Sequence, residues 1–137
     1  MNGSTVADRI AIATEPDIVA ARSAARRHAE ILRFSVVDTT RLITAVSEIA
    51  RNTLIHGGGG SMTIVPVSRP PHAGLKIVFR DEGPGIADIA QAMRDGFSTA
   101  RSLGMGLGGA QRLVSEFEIT STPGRGTTVT LIHWKRT

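Results

Sequence analysis

Four consecutive glycines, Gly57–Gly60, divide this chain into two parts with different periods. Glycine lacks a Cβ and loses more conformational freedom on folding than any other residue, so such a run ends a helix abruptly. Before it the spacing is helical. Leu42, Val46 and Ile49, with Ile43, Ala50 and Leu54, make a broad apolar face over about 39–56, and Asp38 is the predicted cap. Further upstream, Thr14-Glu-Pro-Asp17 has the form of a helix start. Thr14 can accept a backbone N–H, Pro16 sits near the first helical position and Asp17 opposes the dipole. Ile18, Ala21, Ala25, Ala29 and Leu32 carry that helix to about Leu32, and residues 8–13 alternate as a short first strand.

After the glycines the period changes to two. Strands are predicted over about 61–67 and 74–80, around the turn Arg69-Pro-Pro-His72. A short helix fits 87–93, a polar Gly/Ser-rich connection 94–104, and a helix about 106–116 with Leu107, Ala110, Leu113 and Val114. Phe117–Ser121 and Thr127–Trp134 read as a closing antiparallel hairpin. Helices and antiparallel strands together imply an α+β two-layer sandwich. At 137 residues the expectation is one domain spanning 1–137, large enough to bury a core without disulfide or metal.

Composition narrows the function. The chain has no cysteine, so nothing ties it to an oxidising compartment. Its first residues lack a signal-peptide pattern, and no apolar stretch approaches the ~20 residues that span a bilayer, so a cytoplasmic protein is expected, with no membrane partner. Net charge is +4, and all basic residues except Lys76 and Lys135 are arginine. They are scattered, and with no Tyr and one Trp there is little for bases to stack on, so nucleic acid is not the expected partner. The charge suits an acidic protein partner equally well.

Four short segments carry chemistry. Glu48 and Asn52 are four apart on the second predicted helix and share a face. A carboxylate can take a proton from a hydroxyl, and an amide oxygen can ligate Mg²⁺; the plainer reading is a solvated polar face. Asp81 follows a strand and precedes Gly83-Pro-Gly85, where a buried carboxylate could accept from an exocyclic amine of adenine; the plainer reading is a β-turn. Gly104, Gly106 and Gly108 open a helix, and N–H groups at a helix start attract phosphate. Three glycines there cost helix stability, which points to close ligand approach, although the pattern alone is weak. Gly126-Thr-Thr128 opens the last strand, with a hydroxyl that could join Asp81 or could be ordinary strand composition. No GxxxxGK[ST] loop is present. His56 reads as a helix-end histidine, and Arg101 either reaches the outermost phosphate or is a solvated loop charge.

In this order the segments resemble the GHKL ATPase superfamily, whose Bergerat ATP-binding fold serves gyrase, MutL and histidine kinases. Ser47-Glu-Ile-Ala-Arg-Asn52 looks like its N-box, and Asp81-Glu-Gly-Pro-Gly-Ile86 like its first glycine box. Asp95-Gly-Phe-Ser-Thr99 with Leu103-Gly-Met-Gly-Leu-Gly-Gly-Ala110 looks like the second. The wording is similar to the small bacterial serine/threonine switch kinases of the RsbT and RsbW type, and the similarity covers nearly the whole chain. Asn52-Thr-Leu-Ile-His56-Gly57 leans toward the RsbW type, and Gly109 stands where RsbT-like chains often have proline.

The resemblance implies a mixed, mostly antiparallel sheet of about five strands with helices on one face. It implies ATP and Mg as cofactors. Glu48 would be the general base and Asn52 the Mg²⁺ ligand. Asp81 would read adenine, with Gly83, Gly85, Ile86 and Thr127 around the base. Gly104, Met105, Gly106, Leu107 and Gly108 would wrap the phosphates. The implied partner is a STAS-domain substrate, followed by a PP2C-type phosphatase. The alternatives are an anti-sigma factor that binds a sigma subunit and an ATP-gated interaction module without catalysis. A histidine kinase fits less well, because only about 40 residues precede the Glu48 helix and His28 sits on a helix already assigned to the core.

Overall fold

The computed structural model describes residues 7–94 and 106–136. In chain order the elements are β1 (Asp8–Ile12), α1 (Glu15–Ile31), α2 (Val36–Ile55), β2 (Gly60–Arg69), β3 (His72–Asp81), α3 (Ile89–Ala92), α4 (Gly106–Leu113), β4 (Glu116–Thr122) and β5 (Gly126–Trp134). The strands form one sheet in the order β1-β2-β3-β5-β4. All four pairings are antiparallel, so the sheet is antiparallel throughout rather than mixed. The α+β expectation holds.

Register explains the two layers. Ile10, Met62, Phe79, Val129 and Ile119 form one cross-strand row, and Ile64, Ile77, Leu131 and Phe117 the next. Alternation sends both rows to one face, where they meet the buried stripes of α1 and α2 and Leu107 and Ala110 of α4. Each fully buried Ile, Leu or Phe contributes roughly 1.5–3 kcal/mol, so this shared core holds the elements that carry the site.

Thr14 and Asp17 form a capping box, in which the Thr14 hydroxyl also donates to Asp17 and Asp17 Oδ2 takes the N–H groups of Ala13 and Thr14. Other helix ends differ from the sequence reading in instructive ways. Helix α2 starts three residues earlier than expected, because Ser35 is its cap and accepts the Asp38 N–H at 3.0 Å. Asp38 therefore lies inside the helix and is 1% exposed. Helix α4 stops at Leu113, before the predicted 116, since Ser115 and Glu116 turn into β4. There the Ser115 hydroxyl takes the Trp134 N–H at 3.0 Å. His28 is buried on α1 with Nε2 at 2.7 Å from Asp8 Oδ2. Gly104, Met105, Arg101, Leu103 and the Asp95–Thr99 segment lie outside the described residues.

Candidate functional site

Strand β3 delivers Asp81 to the C-terminal end of α2. Its carboxylate is buried, and Oδ1 accepts the N–H groups of Gly83 at 2.9 Å and Thr127 at 3.2 Å. The first bond closes the turn after β3, and the second ties the end of β3 to the start of β5. Among the described residues no donor is directed at the second oxygen, Oδ2. A buried carboxylate oxygen without a donor is unfavourable, so this atom has acceptor capacity for a water or for a ligand that donates.

Glycines let the surrounding backbone close in. A methyl group at Gly57 would overlap the Asp81 carboxylate, and one at Gly83 would lie 2.6 Å from the Gly57 carbonyl oxygen. Gly85 has φ +78°, a left-handed conformation that also brings its Cα against the Thr122 carbonyl. Ser121 joins the parts: its Oγ accepts the Ile86 N–H at 2.7 Å and lies 2.8 Å from Thr127 Oγ1. The result is a small cavity of about 20 Å³ lined by Asn52, His56, Gly57, Asp81, Gly85, Ile86 and Thr127. Five sequence-predicted residues, Asn52, Asp81, Gly85, Ile86 and Thr127, meet there, and Gly83 joins through Asp81. A larger hollow, about 530 Å³, also borders Asp81 and Glu82 and extends over Arg9, Ser61, Thr63, Val78 and Arg80. Its lining includes sheet positions whose register faces away from the helices.

One turn before Asn52 on the same face of α2, Glu48 reaches the start of α4. Its Oε1 accepts the Gly106 N–H at 3.2 Å. Leu107 is buried in the core, which fixes the helix that follows, and Gly108 is buried behind it. One face of α2 thus links the Asp81 cavity to the first amide of α4. His56 caps α2 and is exposed, as its position suggested. Among the described residues no cluster of three or more His, Cys, Asp or Glu side chains could hold a metal on its own.

Sequence reasoning missed three contributors. Gly57 was read only as a helix stop, although the adjacent glycines were the available signal. Ser121 carries no local signal, because Ile86 is 35 residues away. Arg41 is one of many arginines, yet its guanidinium donates to the carbonyls of Leu113 and Arg112 at the end of α4.

A buried carboxylate with one open acceptor, a helix-borne amide and glycine-opened backbone thus meet at one end of an α+β fold. The chain belongs to the histidine kinase-, DNA gyrase B- and HSP90-like ATPase family, whose model matches residues 37–137. It is 47% identical to the serine/threonine-protein kinase RsbT of Bacillus subtilis over 127 residues, covering 93% of this chain and 96% of that one, and so falls within the RsbT-type kinases. It is 35% identical to an anti-sigma F factor of a Thermoanaerobacter species, over 83% of this chain and 82% of the relative. Among solved structures, the RsbU and RsbW domains of Rv1364c from Mycobacterium tuberculosis superpose with TM-score 0.65 at 20% identity, covering 98% of this chain and 34% of that one. The SiaB-SiaC complex from Pseudomonas aeruginosa gives TM-score 0.53 at 14% identity, covering 94% of this chain and 89% of that one. Both likenesses concern the fold. Among the described residues no helix is long and apolar enough to cross a membrane.

Proposed function

We propose that this chain is a cytoplasmic, ATP-dependent protein serine/threonine kinase of a bacterial partner-switching pathway. Its substrate in this reading is a STAS-domain protein, and its second partner a PP2C-type phosphatase. The observation that carries the ATP assignment is the Oδ2 atom of Asp81, buried in a cavity shared with Asn52 and Thr127 and without a donor among the described residues. The exocyclic amine of adenine supplies that donor; guanine presents an oxygen there, which a carboxylate repels. At about 20 Å³ the cavity holds roughly one water, so entry of a purine requires its lining to open.

ATP supplies the phosphoryl group, and the residues of this chain position and neutralise it. The Asn52 side chain, half-buried and one turn from Glu48, would offer an oxygen to a Mg²⁺ ion, which would neutralise phosphate charge when bound. Gly106 and Gly108 present backbone amides at the start of α4, and the Gly104, Met105 and Leu107 positions of the same motif belong to that role. Glu48 accepts the proton of the acceptor hydroxyl as its oxygen bonds to the γ-phosphorus, while the bond from that phosphorus to the bridging oxygen breaks and ADP leaves with the electron pair.

Glu48→Gln tests this directly. With Mg-ATP and a STAS-domain substrate, phosphoryl transfer falls roughly 10²–10⁴-fold while ATP affinity changes little. Undiminished transfer removes Glu48 as the base. Stable association with a sigma subunit, without transfer to a STAS protein, would favour the anti-sigma reading that the 35% identity to an anti-sigma F factor suggests.

A further inference from the structure

Helix α4 is held against α2 at both of its ends. At its start, Glu48 Oε1 accepts the Gly106 N–H at 3.2 Å. At its finish, Arg41 Nε donates to the Leu113 carbonyl at 3.1 Å and Nη2 to the Arg112 carbonyl at 3.0 Å. Arg41 and Glu48 are two turns apart on one face of α2, about 10.5 Å along its axis, and an eight-residue helix is about 12 Å long. The two contacts therefore match the length of α4, which runs antiparallel to α2. Their charges also suit its dipole, with a carboxylate at the N-terminus and a guanidinium at the C-terminus. Ser115, just beyond α4, adds a further tie, with Oγ 3.2 Å from His133 Nδ1.

We infer that Arg41 is a positioning residue for nucleotide binding: by fixing the C-terminal end of α4 it sets where the Gly106 amide stands at the other end. This deepens the ATP reading and rests on it. A phosphate at the start of α4 takes the amide that Glu48 holds in this structure, so that contact cannot both guide the helix and serve the ligand. The distal contact uses no group that the nucleotide needs. It matters because α4 is too short to be stable alone and contains Gly106, Gly108 and Gly109. Its position is set by ties to α2 and the core, not by helix propensity. Two adjacent carbonyls also suit the planar fork of arginine, which lysine cannot reproduce.

The test compares the unaltered protein with Arg41→Ala and Arg41→Lys, using calorimetric ATP affinity and backbone amide exchange. The inference predicts that Arg41→Ala weakens ATP binding about tenfold, the scale expected for lost charge-assisted hydrogen bonds. It also predicts faster exchange at Gly106–Gly108, more than one turn from the carbonyls Arg41 contacts, with Arg41→Lys intermediate in both. Unchanged affinity, or faster exchange confined to Leu113 and the residues after it, overturns the inference. If Arg41→Ala does not fold, Arg41→Lys decides, and affinity equal to that of the unaltered protein overturns it. If the unaltered protein binds no ATP, the ATP reading and this inference fall together. If it binds and both variants match it, only the inference falls.

Discussion

Asp38 and Asp81 are both buried carboxylates next to helix α2, and the fold satisfies them very differently. Asp38, near the start of α2, is saturated. Its Oδ1 is 3.0 Å from His133 Nε2 and 3.1 Å from Arg136 Nη2, and its Oδ2 takes the Arg136 Nε–H at 3.1 Å and the Ser35 hydroxyl at 3.2 Å. Asp81, beside the end of α2, receives two backbone N–H groups on one oxygen and no donor from the described residues on the other. The first fastens the end of β5 to α2. The second leaves capacity for a ligand. Burial alone does not separate the two carboxylates; the proposed role of Asp81 rests on its unfilled acceptor.

The protonation of the two partners around Asp38 follows from their surroundings. Burial holds His133 below the ordinary imidazole value, against the pull of Asp38, so at neutral pH its Nε2–H is a neutral donor. Burial alone would raise Asp38, but hydrogen bonds from Arg136 and then His133 outweigh it and hold the carboxyl below its ordinary value. The negative charge is therefore answered chiefly by Arg136.

The largest expected effect separates the two aspartates. Asp38→Ala strands a buried, neutral histidine and frees the exposed Arg136, and is expected to cost about 2–3 kcal/mol of unfolding free energy. Asp81→Asn, which keeps an oxygen for Gly83 and Thr127, is expected to cost less than about 1 kcal/mol. Urea unfolding of both variants checks this, and equal losses would erase the distinction between a fastening and a reading carboxylate.

A smaller effect is expected from pH. His133 is depressed in the folded state, so the unfolded chain binds its proton first and stability declines as pH falls below about 6.5. Asp38 is also depressed, so its contribution is complete above 3.8 and is lost as pH drops through its lower folded value. Each unit of depression is worth about 1.4 kcal/mol at most. Unfolding midpoints measured from pH 8 to pH 4 should fall, and the slope below pH 6.5 should flatten in His133→Asn. A flat profile in the unaltered protein would contradict the protonation states assigned here.

Which parts were legible follows from the range of the interactions. The stripe of α2, the alternation of β3 and the glycines around Asp81 are local, and they announced the elements and the residues that gather around Asp81. Asp38 was read as a helix cap because its local context fits that role. Its true partners lie 95 and 98 residues further on, where no spacing rule reaches. Arg41 and Ser121 were invisible for the same reason, since each acts on backbone brought near only by the closed sheet and the docked α4. The β2–β3 and β4–β5 hairpins were legible from their turns, whereas the pairing of β1 with β2 and of β3 with β5 depends on which edges meet, which hydrophobic period does not encode.

The central claim is that Asp81 Oδ2 takes the amine of adenine, and the most direct measurement is calorimetric. ATP and a purine riboside triphosphate lacking the 6-amino group are titrated into the unaltered protein and into Asp81→Asn. The account predicts that removing the amine weakens binding to the unaltered protein about 10–100-fold, on the scale of one hydrogen bond to a charged group, and that the preference collapses in Asp81→Asn. Equal affinity of the unaltered protein for the two nucleotides would contradict it.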